Sequence, residues 1–262
     1  MKQNLSTKTR TESDLIGSRE VPESALYGVQ TLRGIENFRI SKFHLNEYPL
    51  FIQALAITKM GAAVANRKLD LLTEEQADAI LKACKEVLEG KHHEQFPVDM
   101  IQGGAGTTTN MNVNEVIANR ALELMGHRRG EYQYCSPNDH VNRSQSTNDA
   151  YPTAIHIGLY YTHLKLVKHF GELIASFRKK GKEFAHIIKM GRTQLEDAVP
   201  MTLGQTFNGF ASILEQEVKN LDFAAQDFLT VNMGATAIGT GITAEPEYAE
   251  MCIEALCKIT GL

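Results

Sequence analysis

The sequence predicts a mainly α-helical protein with a short irregular or β-structured N-terminal segment, an N-terminal helical domain and the start of a long central helix bundle. Apolar residues recur at helical spacing through most of the chain, and two long stretches of the second half contain no proline. Only one short helix fits after them, so the predicted bundle is truncated. The predicted domains are 1–150, the N-terminal domain, and 151–262, the partial bundle.

The first 40 residues lack a helical period. Gly17, Pro22, Gly28 and Gly34 interrupt any regular pattern of apolar residues there. We therefore expect short strands or loops, with regular helix beginning near Pro49.

Two helices are predicted in the rest of the N-terminal domain. Between Leu72 and Gly90, Thr73 and Gln76 form a capping-box pattern, apolar residues repeat on one face, and a glycine ends the segment. A further helix is predicted from Met111 to Gly126, and it is entered through the Gly- and Thr-rich stretch "GGAGTTTN".

The second half has the pattern of a helix bundle. Apolar residues from Thr153 to Met190 recur near the helical period, which predicts a helix of more than thirty residues. After a turn within "GRTQLEDAVP", steps of three and four residues predict a second long helix and then a short one from Pro246 to Thr260. The apolar seam of the second long helix consists of Phe207, Ala211, Leu214, Val218, Leu221, Ala225 and Phe228.

Composition limits the classes of partner. The chain has 262 residues, 43% of them hydrophobic, and a formal net charge of −4, so it has no basic surface for nucleic acid or an anionic membrane. Small molecules are the expected partners. There is no apolar stretch of membrane-spanning length, and the cysteines lack CxxC spacing, which favours a reducing cytoplasm. The four cysteines are Cys84, Cys135, Cys252 and Cys257.

The stretch "SQSTNDAYPT" (144–153) contains more polar side chains than a helix cap requires. Ser, Thr and Asn favour helix N-termini because they accept hydrogen bonds from free backbone N–H groups, but one cap needs one such residue. The surplus of uncharged hydroxyls and amides predicts a site that binds a small polar ligand.

Five motifs resemble, in order and spacing, the aspartase/fumarase superfamily. They are "GSREVPESALYGVQTLRGIENFRIS", "GGAGTTTNMNVNEVIANRALELMG", "PNDHVNRSQSTNDAYPT", "GRTQLEDAVPMTLGQ" and "NMGATAIGTG". The resemblance implies a homotetramer with a central bundle from all four subunits and active sites built from three of them. It also implies reversible elimination of ammonia from L-aspartate to give fumarate, without organic cofactor or metal.

By matching motif positions, the resemblance implies which residues bind the two carboxylates. Thr107, Ser146 and Thr147 would hold the side-chain carboxylate, and Thr193 the α-carboxylate. Proton removal beside the side-chain carboxylate leaves an aci-carboxylate dianion, which fixed hydrogen-bond donors stabilise. For each residue, capping of a neighbouring helix is the alternative role.

Two further residues would face the amino group and bear on the choice within the family. Asn148 would contact the amino group, and the carbonyl oxygen of Gln194 can accept a hydrogen bond from an ammonium. Fumarases typically have serine at the position of Thr147 and histidine at that of Gln194, so both residues favour aspartate over malate. Fumarate hydratase stays an alternative.

The catalytic base of the family has no counterpart in this sequence. It is a serine in a "GSSxMPxKxN" loop, and no such segment occurs here. The resemblance therefore implies an N-terminal part that holds substrate-binding residues, has no catalytic residue and is inactive alone. The other interpretation is a non-catalytic truncated paralogue that acts only by association.

Overall fold

The computed structural model describes residues 8–104 and 106–262. They form two compact units, one comprising residues up to Gly158 together with Val231–Leu262, and the other Leu159–Thr230. These units are defined by contacts within the chain and do not test the predicted domain boundary at residue 150, which stays a prediction. No helix of the described ranges is long and apolar enough to cross a membrane.

The first unit begins with an antiparallel hairpin. Strands β1 (Thr9–Asp14) and β2 (Gly17–Pro22) pair along their whole length, in agreement with the predicted β-structured segment. Helix α1 follows at Val29–Asn37, where the sequence predicted strands or loops. That prediction was wrong because Gly34 does not interrupt the helix: it gives close contact with Thr108, whose Cγ2 lies 2.4 Å from where a Cβ would stand.

Two helices of this unit pack against a third. Helix α2 (Pro49–Lys68) packs on α3 (Glu74–Leu88) and on the last helix of the chain, Tyr248–Thr260. The Thr73 hydroxyl accepts from the backbone N–H of Gln76, and the Gln76 side chain accepts from that of Thr73, so the predicted capping box is confirmed. The short last helix is also confirmed.

Helix α4 (Thr107–Leu124) crosses the interior of the first unit and begins four residues before the predicted start. The hydroxyl-rich stretch that was expected to lead into the helix forms its first turn instead. A π-helical turn at Pro137–Val141 then leads toward α5 (Thr147–Glu183). At 37 residues α5 confirms the predicted long helix.

The second unit contains the later part of α5, a hairpin and a further long helix. Strands β3 (Ile188–Thr193) and β4 (Glu196–Thr202) pair antiparallel, so the helix predicted to continue to Met190 ends earlier. The apolar spacing of α5 continues into β3 without a break, so the sequence pattern did not show where the helix ends.

Helix α6 (Leu203–Ala225) carries the predicted apolar seam except for Phe228, which lies in the 3₁₀ turn that follows. All seven seam residues are buried or half-buried, and the ring of Phe207 contacts Phe177 of α5 and Phe184, the residue after α5, at centroid distances of 5.9 and 5.5 Å. The seam therefore packs against α5 within this unit. The last helix, Tyr248–Thr260, is called α7 below.

Candidate active site

Thr107 is the first residue of α4. Gly106 precedes it with a left-handed φ of 92°, a conformation that glycine adopts without steric cost. The first turn of a helix has free backbone N–H groups and a positive dipole end, which together favour an anion. The Thr107 side chain is exposed at this end.

Ser146, Thr147 and Asn148 form the start of α5. The Asp149 carboxylate accepts from the backbone N–H of Ser146 at 2.9 Å, and the Ser146 hydroxyl accepts from that of Asn148 at 3.3 Å. These two bonds cap the helix, so capping accounts for the Ser146 hydroxyl oxygen and the Asp149 Oδ1 atom. Capping leaves the Ser146 hydroxyl hydrogen, Thr147 and the Asn148 side chain to be explained.

The side chain of Asn110 joins the first turns of α4 and α5. It lies one turn after Thr107, and its amide nitrogen Nδ2 donates to the Thr147 hydroxyl oxygen at 3.2 Å. Two helix N-termini that begin with threonines therefore meet within the first unit. This arrangement can bind a carboxylate through hydroxyl and backbone donors.

Asn148 binds the loop between α6 and α7. Its side-chain Nδ2 donates to the backbone carbonyl oxygen of Ala237 at 2.8 Å. Its backbone carbonyl oxygen accepts from the side-chain Nδ2 of Asn232 at 3.0 Å. The second bond is possible because Pro152, four residues on in α5, has no N–H to occupy that carbonyl.

Asp149 holds the same loop from inside the unit. It is fully buried, and its Oδ2 accepts from the backbone N–H groups of Gly234 and Thr236 at 3.1 and 2.9 Å. The motif "NMGATAIGTG" is thereby tied to the start of α5.

An open cavity of about 610 Å³ lies within this loop and the start of α7. Its lining includes Asn232, Gly234, Thr240 and Glu245, and none of the six predicted substrate-binding residues. It lies beside the start of α5, because its lining residues Asn232 and Gly234 donate to Asn148 and Asp149.

Thr193 and Gln194 lie in the second unit, at the tip of the β3–β4 hairpin, and both are exposed. The two-residue turn consists of Gln194 and Leu195, which have left-handed φ angles of 47° and 69°. Such a turn suits the twist of a hairpin but usually contains glycine or asparagine. Backbone strain of this kind is concentrated at functional sites.

Sequence patterns did not single out the polar cluster behind Thr147. The ammonium of Lys59, on α2, donates to Asn110 Oδ1, Asn142 Oδ1 and Gln145 Oε1 at 2.8, 3.0 and 2.8 Å. Only 1% of Lys59 is exposed, and burial lowers the pKa of its ammonium to about 7, against the raising influence of Asp149. The signal available in the sequence was one lysine inside the apolar run "LFIQALAITKMGAAVA".

Within the described ranges, no group of three or more His, Cys, Asp or Glu side chains is placed to hold a metal ion. All four cysteines have free thiols, three of them buried. The candidate site therefore consists of hydroxyls, amides and one buried ammonium.

The sequence matches a family model described as "Lyase" over residues 17–262. Aspartate ammonia-lyase of Escherichia coli strain K12 is 53% identical over 258 residues, which are 98% of this chain and 54% of that enzyme. Aspartate ammonia-lyase of Pseudomonas aeruginosa is 56% identical over 254 residues, 97% of this chain and 54% of that enzyme.

Two solved structures have the same fold. A fumarate lyase:delta crystallin from Brucella melitensis, bound to cobalt, is 51% identical with a TM-score of 0.92, and the match covers 97% of this chain and 55% of that one. Class II fumarase from Schistosoma mansoni is 37% identical with a TM-score of 0.89, covering 97% and 53%. The chain thus spans about half the length of the relatives it matches.

Proposed function

Because the chain belongs to this lyase family, we propose that it is the substrate-binding N-terminal part of an aspartate ammonia-lyase. The enzyme would eliminate ammonia reversibly from L-aspartate to give fumarate. The observation that carries this function is the meeting of the α4 and α5 N-termini through Asn110 and Thr147, in a chain more than half identical to aspartate ammonia-lyases.

The first chemical requirement is stabilisation of negative charge. A base removes a weakly acidic proton beside the side-chain carboxylate, and the electrons move onto oxygens that already carry charge. Thr107, Ser146 and Thr147 would donate hydrogen bonds to these oxygens, aided by the dipoles of two helices. Uncharged donors do this without a permanent ion pair that would stabilise the substrate as much as the transition state.

The second requirement is recognition of the amino group. Ala237 offers a carbonyl oxygen, which can only accept, so Nδ2 of Asn148 faces it and Oδ1 is left to accept from the substrate ammonium. Gln194 would supply a second acceptor and Thr193 a donor to the α-carboxylate. Their exposed position on a hairpin tip supports a site to which another subunit contributes these two residues.

We also propose a homotetramer in the cytoplasm. Free thiols support a reducing compartment. On α6, Phe210, Ile213 and Phe223 are 47, 61 and 82% exposed, which supports burial of this helix against other subunits.

The base would come from outside these 262 residues, from a segment with the "GSSxMPxKxN" pattern. A mass measurement of the natural protein, together with the reading frame that follows codon 262, distinguishes this from a non-catalytic truncated paralogue. A frame that encodes the pattern supports the enzyme, and a stop codon in its place supports the paralogue.

The similarity to class II fumarase makes L-malate the competing substrate. The test is fumarate absorbance with L-aspartate and L-malate, using the intact enzyme, meaning this chain continued by its catalytic segment. We expect turnover of aspartate and at most trace turnover of malate. Preference for malate would assign the protein to the fumarases.

A further inference from the structure

Lys59 is buried without a directly bonded carboxylate. Among the hydrogen bonds of the described residues, its ammonium donates only to the amide oxygens of Asn110, Asn142 and Gln145. The carboxylate of Asp149 is occupied by backbone N–H groups and acts on Lys59 only over a distance. Burying a charge is costly unless it is paired, so a lysine at this position calls for a reason beyond packing.

An ammonium can only donate hydrogen bonds, and this fixes the direction of the amides around it. Asn110 must turn its oxygen toward Lys59, so its NH₂ group points away, toward Asn142 Oδ1 at 3.1 Å and Thr147 Oγ1 at 3.2 Å. Asn142 likewise turns its oxygen toward Lys59, and this oxygen also accepts from Nδ2 of Asn114 at 3.2 Å.

The direction of the Asn110 amide decides what Thr147 can do. The Thr147 hydroxyl accepts from Asn110, so its single hydrogen is free to point elsewhere. If the amide were reversed, Asn110 would present its oxygen and Thr147 would spend its hydrogen on it. The hydroxyl would then have no hydrogen left for a ligand.

We propose that Lys59 is a positioning residue: through Asn110 it sets the polarity of the hydrogen-bond relay Lys59–Asn110–Thr147, so that Thr147 donates its hydroxyl hydrogen to a carboxylate of the bound dicarboxylate. This role rests on the proposed function, because it assigns a carboxylate to Thr147. It adds a residue that does not touch the substrate but controls whether a substrate-binding residue acts as donor.

The charge on Lys59 is required for this polarity. A neutral amine has a lone pair and can accept from an amide NH₂, which would permit the reversed arrangement. Burial lowers the pKa of Lys59 to about 7, and the groups facing it are Asp149 of α5, Cys84 of α3 and Cys252 of α7. Both thiols stay neutral because burial raises their pKa, so Asp149 is the opposing charge. Succinate binding should therefore weaken as pH rises above 7.

The experiment is a double-mutant cycle in the intact enzyme, with the inhibition constant of succinate as readout, since succinate keeps both carboxylates and lacks the amine. Lys59→Met removes the ammonium and keeps an apolar stem. We expect it to weaken succinate about tenfold and to abolish the weakening above pH 7. Thr58→Val is the matched control, because the buried Thr58 hydroxyl donates only within α2, to Ala54 at 2.9 Å.

The decisive comparison repeats Lys59→Met in a Thr147→Val background. If Lys59 acts through Thr147, Lys59→Met should raise the succinate inhibition constant of the Thr147→Val variant by less than about twofold. The reason is that both substitutions then remove the same hydrogen bond to the carboxylate. An equal loss in both backgrounds would mean that Lys59 acts through general packing, and the relay would be wrong.

A variant that does not fold and a wild-type enzyme without activity would each call for a different comparison. If Lys59→Met does not fold, Asn110→Asp takes its place in the cycle, since the carboxylate keeps an oxygen for Lys59 and presents an acceptor to Thr147, which would then spend its hydrogen there. A wild-type enzyme that neither binds succinate nor converts aspartate overturns the proposed function and this role with it, whereas an active enzyme with additive losses overturns the relay alone.

Discussion

At the scale of single residues, the site is organised by which groups can only donate and which can only accept. The Ala237 carbonyl turns the Asn148 NH₂ toward itself and leaves an oxygen for an ammonium, while the Lys59 ammonium turns the Asn110 oxygen inward. Both amides gain a direction from a partner of fixed polarity. In the proposed site, these directions would give selectivity between amine and carboxylate without any permanent charge at the contact atoms.

The first prediction concerns the amino group. In the intact enzyme, Asn148→Ala removes an acceptor from the bound ammonium, and a polar group left unmatched in a covered site costs about 1–3 kcal/mol. We expect kcat/KM for aspartate to fall roughly tenfold to a few hundredfold. The inhibition constant of succinate, which has no amine, should change far less. An equal loss for succinate would make the Asn148 assignment wrong.

The second prediction is the matched case for a carboxylate. Thr147→Val keeps the shape of the side chain and removes the hydroxyl donor, so succinate and aspartate should weaken together, each by about tenfold. Paired measurements of the succinate inhibition constant and the aspartate KM test this. A loss confined to aspartate would place Thr147 near the amine instead.

Motifs predicted six site residues because each motif is continuous in the sequence. Lys59 was not predicted, because its partners Asn110, Asn142 and Gln145 lie 51, 83 and 86 residues away. A lysine in an apolar run gives no sign of such partners until the helices are packed.

At the scale of elements, α1 is held by carboxylates that are distant in sequence. Glu115, on α4, accepts from the backbone N–H groups of Gly28 and Thr31 at 2.8 and 3.0 Å and from the Thr31 hydroxyl at 2.6 Å. Its other oxygen accepts from the Gln30 N–H at 2.8 Å. The N-terminus of α1 is thus capped from outside, which is why local sequence did not predict this helix.

The third prediction tests this anchor. Glu115→Gln is nearly isosteric but replaces one carboxylate oxygen with an NH₂ group, so at least the Gln30 N–H loses its acceptor. We expect a loss of about 1–3 kcal/mol in the free energy of unfolding, measured by urea denaturation. Glu123→Gln, on the same helix but part-exposed and paired with arginines, should cost less than about 1 kcal/mol. Equal losses would show that α1 does not depend on Glu115.

For the long helices, too, some features follow from neighbouring residues and others depend on residues that pair elsewhere in the chain. The period of α5 and the seam of α6 were predictable because side chains three and four residues apart share a face. The end of α5 at Glu183 was not, since the residues that pair as β3 and β4 continue the apolar pattern.

At the scale of the whole molecule, the proposed association rests on exposed apolar side chains of the second unit. Phe223 is 82% exposed and Ile213 61%, on the side of α6 away from the seam. Large apolar side chains left this exposed are side chains that association with another subunit would cover.

The fourth prediction is therefore that the chain sediments as an oligomer or aggregates, and that Phe223→Glu shifts it toward smaller species. Lys219→Gln, on the same helix, changes the net charge by the same amount without removing apolar surface and should leave the sedimentation profile unchanged. A compact, stable monomer for the unaltered chain would contradict an association surface on α6.

The central claim is that these residues bind the substrate of an aspartate ammonia-lyase whose base lies in another segment. The most direct test measures fumarate formation from L-aspartate for the 262-residue chain alone and for the intact enzyme side by side. We expect no fumarate above background with the chain alone, because the proposed base lies in another segment, and steady formation with the intact enzyme. Aspartase-like turnover by the chain alone, or none by the intact enzyme, would contradict it.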